Sequence, residues 1–293
     1  MKNDQKKDKY SAVWVSYSSI SDYLKCPRAY YLKNIWRNPQ TGHKVQIINP
    51  QLALGQAVHE VVESLSLLPV DKRLTDSLFE KFERAWKKIS GNAGGFSNQA
   101  TEEAFKNRGL SMLKRIVANP GPIAKLAVKI KEEIPHFWLS EEDGIILCGK
   151  IDWLEYLAES DSVHVIDFKT SKSTENPNSL QLPIYQLLVT YCQKRKLAKA
   201  SYWYLEFSDI CEEKTLSDIN LSQEQVLKIA KQIKVARQLQ RFVCKSQNGC
   251  SACLPLEKVF RGEAKLVGVN DFKQDTFVIP DHQFREGEES EIL

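Results

Sequence analysis

GKIDWLEY (149–156) and VHVIDFKTSK (163–172) carry the pattern of two paired strands with acidic residues at one end. Side chains along a strand alternate between faces, so Asp167 and Lys169 point one way while Ile166 and Phe168 point the other. If the two stretches pair across the short break at Ala158–Ser162, Asp152 on the first strand approaches Asp167 on the second. Two carboxylates and an ammonium then share one small patch. An acid-x-base triplet taken alone reads as a surface ion pair. The apolar Val-His-Val-Ile run before Asp167 points instead to a largely buried strand, at whose end ionised groups need partners or a metal.

Residues near 129–139, 144–156 and 162–170 are rich in Ile, Val, Phe and Trp, and Glu141-Glu142-Asp143-Gly144 suits a hairpin turn. A helix is predicted over 179–195, a strand over Ala200–Phe207, an edge strand near 213–219 and a polar-faced helix over 222–242. The order αβββαβ defines an α/β (α+β) core with a mixed sheet. Upstream, helical spacing covers about 19–35, 52–67, 74–89 and 99–118. Ser19 and Asp22 make a capping-box-like start, and Pro27 predicts a break. The front half therefore reads as a wholly helical layer. A polar, flexible lead is expected over 1–10, and an extension over 266–293 that ends in an acidic tail from about Asp281. Between them one domain spans 11–265: a helical front part (16–120), a sheet core (125–243) and a cysteine-bearing segment (244–253).

At 293 residues, 42% hydrophobic and 27% charged, the chain can bury one large core. A net charge of +4 permits a polyanionic partner without arguing for one. No apolar run is long enough for a leader or a membrane span, so a cytoplasmic protein without membrane contact is expected. In a reducing compartment its seven cysteines read as metal ligands or packing residues before disulfides.

The Asp152–Asp167–Lys169 patch suits phosphodiester cleavage. Paired carboxylates hold Mg²⁺ or Mn²⁺ through hard oxygen ligands. The ion polarises the phosphate, lowers the pKa of a bound water and balances charge during displacement. A neighbouring lysine orients the attacking water or stabilises the developing negative charge.

With these residues in view, the chain resembles the PD-(D/E)XK nuclease superfamily, in particular its RecB-type exonuclease branch, in order over residues 16–255. SYSSISDYLKCPRAYYL (16–32) is similar to the family's N-terminal helix with its Cys-Pro, and LGQAVHEVVE (54–63) to its G-x-x-x-H helix through Gly55 and His59. GKIDWLE supplies the first acid, IDFKTSK the D-x-K pair, and QLPIY (181–185) the Q-x-x-x-Y motif. The resemblance implies a restriction-endonuclease-like core and a metal-dependent DNA exonuclease of repair, recombination or defence, with a CRISPR-adaptation-type exonuclease as a close variant. It implies that His59, Asp152, Asp167 and the Phe168 carbonyl bind metal, and that Asp152, Asp167 and Lys169 are catalytic. Gln181 and Tyr185, four apart and so on one helix face, then position DNA or the active-site residues. Read without the resemblance, His59 is a packing residue and the Gln181–Tyr185 pair a helix–sheet contact. A nuclease-like module that binds DNA or a partner without cutting is the rival class.

Cys244, Cys250 and Cys253 read C-x5-C-x2-C, and Cys26 lies in the Cys-Pro position. The resemblance implies that these four hold a [4Fe–4S] cluster joining the two ends of the domain. The family's C-terminal order is C-x2-C-x5-C, so this chain departs from it; a structural Zn²⁺ is the alternative, and incidental packing the third reading. Cys148, Cys192 and Cys211 are expected to pack. Lys25, Arg28, Lys33, Arg37, Lys81, Arg84, Lys87 and Lys88, with Tyr23, Tyr30, Tyr31 and Trp36 interleaved among the first four, suit a channel for DNA that is single-stranded or has free ends. A solvated helix face explains the lysines equally. The chain has no Walker A sequence, so a helicase enters only as a partner.

Overall fold

The computed structural model describes residues 8–75, 77–132 and 134–279. Its centre is a mixed four-stranded sheet of β5 (Trp153–Leu157), β6 (Ser162–Lys169), β7 (Lys196–Tyr204) and β8 (Glu212–Lys214), in that spatial order. β5 and β6 are antiparallel, with Trp153 opposite Ile166, so Asp152 reaches the sheet end beside Asp167. β6 and β7 are parallel and joined by the crossover helix α6 (Gln181–Cys192), as parallel neighbours require.

β6 is buried from Ser162 to Phe168, which explains its apolar sequence. Val163 and Val165 pack on α6 and on α7 (Ile219–Gln238) through Leu187, Leu188, Val226 and Ile233. Ile166 and Phe168 face the opposite layer, made by α3 (Pro50–Ser64), α4 (Ser77–Lys88) and α5 (Gln99–Ala118). The sheet thus lies between two helical layers, and its alternation sends Asp167 and Lys169 toward α6. Closeness between α4 and α5 depends on Gly109, where a Cβ would stand 2.5 Å from Phe82 Cζ.

The front half is not wholly helical. β1 (Val13–Val15) pairs in parallel with β4 (Ile145–Cys148), itself antiparallel to β3 (His136–Ser140). β2 (Lys44–Ile47) pairs in parallel with β10 (Gln274–Val278), which is antiparallel to β9 (Lys265–Val269). Strands of three or four residues carry too little alternation to betray themselves, and their partners lie far along the chain. The stretch expected to begin at 266 as an extension supplies this β9–β10 hairpin. The tail from Asp281 and residues 1–7 of the lead lie outside the described residues.

Other boundaries moved for local reasons. Ser16 rather than Ser19 caps α1 (Tyr17–Lys25): its hydroxyl accepts from Ser19 N, and the Ser19 hydroxyl accepts from Ser16 N. Pro27 ends that helix and opens α2 (Pro27–Tyr30), which continues as one widened turn to Ile35. The strand expected over 144–156 is two strands, because residues 149–152 leave the ladder between β4 and β5. Among the described residues no helix is long and apolar enough to cross a membrane.

Candidate active site

α3 begins at Asn49, whose side chain accepts from Leu52 N, followed by Pro50 at the first helical position. Its apolar side, Leu54, Ala57, Val58, Val61 and Val62, packs on the sheet layer. That packing turns His59 toward the start of β5. His59 Nδ1 lies 3.5 Å from Asp152 Oδ2 and 3.2 Å from Glu63 Oε1, one helical turn on. One donor atom from each of His59, Glu63 and Asp152 falls within 4.8 Å of the others. Asp152 is fixed by the Phe168 N–H, which donates to its Oδ2 at 3.0 Å. Behind it the Phe168 ring packs against Trp153 and Trp203.

Asp167 is 2% exposed and tied to Lys169 through Gln181. Gln181 Nε2 donates to Asp167 Oδ1 at 2.6 Å, and Lys169 Nζ donates to Gln181 Oε1 at 2.6 Å. Lys169 also lies 3.1 Å from Asp167 Oδ2 and 2.9 Å from Glu175 Oε2. The Asp167 Oδ2 contact is an ion pair without hydrogen-bond geometry, so that buried oxygen, like His59 Nε2, has no hydrogen-bond partner among the described residues. Tyr185 OH accepts from Gln181 Nε2 at 3.4 Å, completing the column expected from the i, i+4 spacing.

Burial disfavours protonating His59, but Asp152 and Glu63 outweigh it and hold the imidazole pKa above its ordinary value. Burial likewise raises Asp152, with His59 opposing and Asp167 adding to the shift. Several carboxylates in a dry pocket call for a cation. Burial alone would lower the Lys169 pKa, yet Asp167 and Glu175 carry it above the ordinary lysine range. Those two carboxylates favour the charged form of the Lys169 amine. The donor set, carboxylate oxygens with one imidazole and two orphaned buried atoms facing the pocket, fits a hard divalent ion.

Glu63 escaped the sequence reading although its signal was available: a carboxylate four residues after His59 shares its helix face. Its other oxygen pairs with Lys150. Glu175 gave no such signal, because it lies in the irregular loop after β6.

The sulfurs of Cys26, Cys244, Cys250 and Cys253 also lie within 4.8 Å of one another. Cys26 stands at the Pro27 break, and Cys253 opens α8 (Leu254–Phe260). Cys253 Sγ accepts from Cys250 N at 3.2 Å, and Cys244 Sγ from Ser246 N at 3.4 Å. Such N–H···S contacts suit thiolates. Cys148, Cys192 and Cys211 lie apart from this group, partly buried.

The centre opens into a long cleft between the front helices and the sheet, walled also by β9, β10 and residues 250–258. Lys25, Lys33 and Lys88 line it, whereas Arg28 is committed to Glu257 at 2.5 Å. Tyr30 is buried edge-on to Tyr23, and Tyr31 and Trp36 pack on Phe242 and Phe260. These rings are engaged within the protein.

Paired acids and a lysine at a sheet end, beside a histidine-bearing helix, form a frame for divalent-ion phosphodiester chemistry. The model of the PD-(D/E)XK nuclease superfamily matches residues 14–255, and the chain belongs to that superfamily. Compared with curated proteins, the chain has no match. Superfamily membership makes nucleic acid the substrate class and a divalent ion the usual cofactor.

Proposed function

We propose that this protein is a divalent-metal-dependent deoxyribonuclease, working as an exonuclease in DNA repair, recombination or defence. The observation that supports this reading most directly is the meeting of His59 with Asp152 beside the Asp167–Gln181–Lys169 column. His59, Asp152 and Asp167 would hold Mg²⁺ or Mn²⁺, with the Phe168 carbonyl as a further ligand from the resemblance and Glu63 as one added by the geometry. The ion supplies Lewis-acid polarisation of the scissile phosphate. Lys169, its charged form favoured by Asp167 and Glu175, orients the attacking water and stabilises the charge that grows on the phosphoryl oxygens. Gln181 holds Asp167 and Lys169 at their working separation, and Tyr185 supports Gln181.

The exonuclease assignment, and a helicase or CRISPR-adaptation partner, rest on the RecB-type motif order. A silent binding module would have no use for the complete histidine, acid and lysine set. The test is digestion of end-labelled single- and double-stranded DNA with Mg²⁺ or Mn²⁺ against a chelator control. Cation-dependent cutting that disappears in folded Asp167→Ala and Lys169→Ala proteins is the expected result. Absence of cutting by the wild type with every cation overturns the reading.

The four cysteines are proposed to hold a resident metal group. The pairing of one N-terminal cysteine, at the Cys-Pro position, with three C-terminal ones favours a [4Fe–4S] cluster, although their C-x5-C-x2-C order departs from the family's. The sulfur spacing, with Cys250 and Cys253 3.8 Å apart, favours zinc, since four sulfurs about 2.3 Å from one tetrahedral ion lie roughly 3.8 Å from each other. Iron and zinc assays after anaerobic purification decide between them.

A further inference from the structure

The aromatic rings near the basic residues of the front half are spoken for, so any stacking contact with substrate has to come from elsewhere in the cleft. The tip of the β9–β10 hairpin lies on the cleft wall, and there Phe272 is 74% exposed. A large ring left in water at a turn contributes nothing to the core. Yet this turn is firmly built. Asn270 Oδ1 accepts from Phe272 N at 3.0 Å and from Gln274 N at 2.9 Å, and Lys273 takes the left-handed conformation (φ 56°) that closes it.

The tip is also fixed relative to the active centre. Asn270 Nδ2 donates to Gln46 Oε1 on β2 at 2.6 Å. Asp271 lies 3.6 Å from Lys88, which pairs at 2.8 Å with Glu60, the residue after His59 on α3. The same cleft carries Lys44, Lys129, Lys131, Lys172 and Lys258 along its walls. A ring with a free face, in a cleft that also carries cations and leads to the proposed metal centre, matches what an unpaired strand requires: stacking for bases and positive charge for phosphates. The lysines make an apolar protein partner the poorer fit.

We propose that Phe272 is a stacking platform for a nucleobase of a single-stranded nucleic acid lying in the cleft, which makes the β9–β10 tip a substrate-gripping element beyond the matched family region. The proposal rests on the nuclease reading above. It is tested by the anisotropy of a labelled oligothymidylate and of an equally long strand of abasic spacers, with Ca²⁺ replacing Mg²⁺. Phe272→Ala should weaken oligothymidylate binding on the order of tenfold and leave the abasic strand unaffected, whereas Phe272→Trp should hold wild-type affinity. Unchanged oligothymidylate affinity in Phe272→Ala overturns the proposal and leaves the tip to a protein partner. Equal losses on both strands overturn it too, since no base would then be involved. Cation-dependent cutting by the wild type reports separately on the nuclease reading.

Discussion

Glu63 shows how a site grows beyond its motif. Residues joined by a motif share a chemistry, whereas Glu63 joins by geometry alone, on the face of α3 that already presents His59. Glu63→Gln keeps the shape and removes a charge, so the Mn²⁺ dissociation constant should rise about tenfold or more by calorimetry, because hard-ion affinity follows ligand charge. Gln181 touches both Asp167 and Lys169 without being expected to meet the ion. Gln181→Ala should lower kcat by roughly 10- to 100-fold with KM for DNA little changed, the pattern of a lost support. An increase in KM alone would make Gln181 a substrate contact instead. Asp167, Lys169 and the Gln181–Tyr185 pair were legible because strand alternation and helix periodicity fix where side chains point, and Asp152 because it directly precedes the strand that pairs with β6. Glu175 was not, since a loop has no period, and only coordinates reveal that it flanks Lys169.

Among the elements, the long periodic ones were readable and the short paired ones were not. α5 was legible at both ends and β6 through its apolar run, but β1 and β2 are short strands whose partners, β4 and β10, lie far along the chain. Where α4 crosses α5, Gly109→Ala would drive a methyl into Phe82, so a loss of about 1–3 kcal/mol in denaturant-measured stability is expected, with the fold kept. The β2–β10 joint has a different dependence. Asp275 is fully buried and accepts from Asn38 (2.7 Å), Thr41 (2.5 Å) and His43 (2.8 Å). Burial would raise its pKa, but these three bonds outweigh that and leave it below the usual carboxylate range. A depressed folded pKa means that the stability is present above the unfolded value, about 3.9, and is lost as pH falls through the folded one. Thermal midpoints of the wild type should therefore decline from about pH 4 downward. Asp275→Asn should start lower and show a shallower acid limb, because Glu102 and Glu155, also held below their ordinary values, keep part of it.

For the whole molecule, the cysteine group joins residue 26 to residues 244–253, across the entire nuclease region. If the group holds the metal proposed for it, a strong chelator should expose four additional thiols to a colorimetric reagent and lower the thermal midpoint by several degrees, a few kcal/mol in a chain of this size. A midpoint insensitive to removal would make the cysteines incidental neighbours. The composition showed none of this, since a small positive charge and an ordinary apolar content suit countless proteins. The order of the motifs was far more telling than their number.

The parallel pairing of Lys44–Ile47 with Gln274–Phe277 also bears on synthesis. A ribosome must make over two hundred further residues before the early strand meets its partner, and the N-terminal thiol waits almost as long for its three companions. The histidine-bearing helix follows that early strand directly, so an unfinished polypeptide leaves its approach to the acids unbraced. Assembly this non-local is slow. The cutting activity proposed above should therefore be missing from a chain truncated before Gln274, as digestion assays of such a truncation would show.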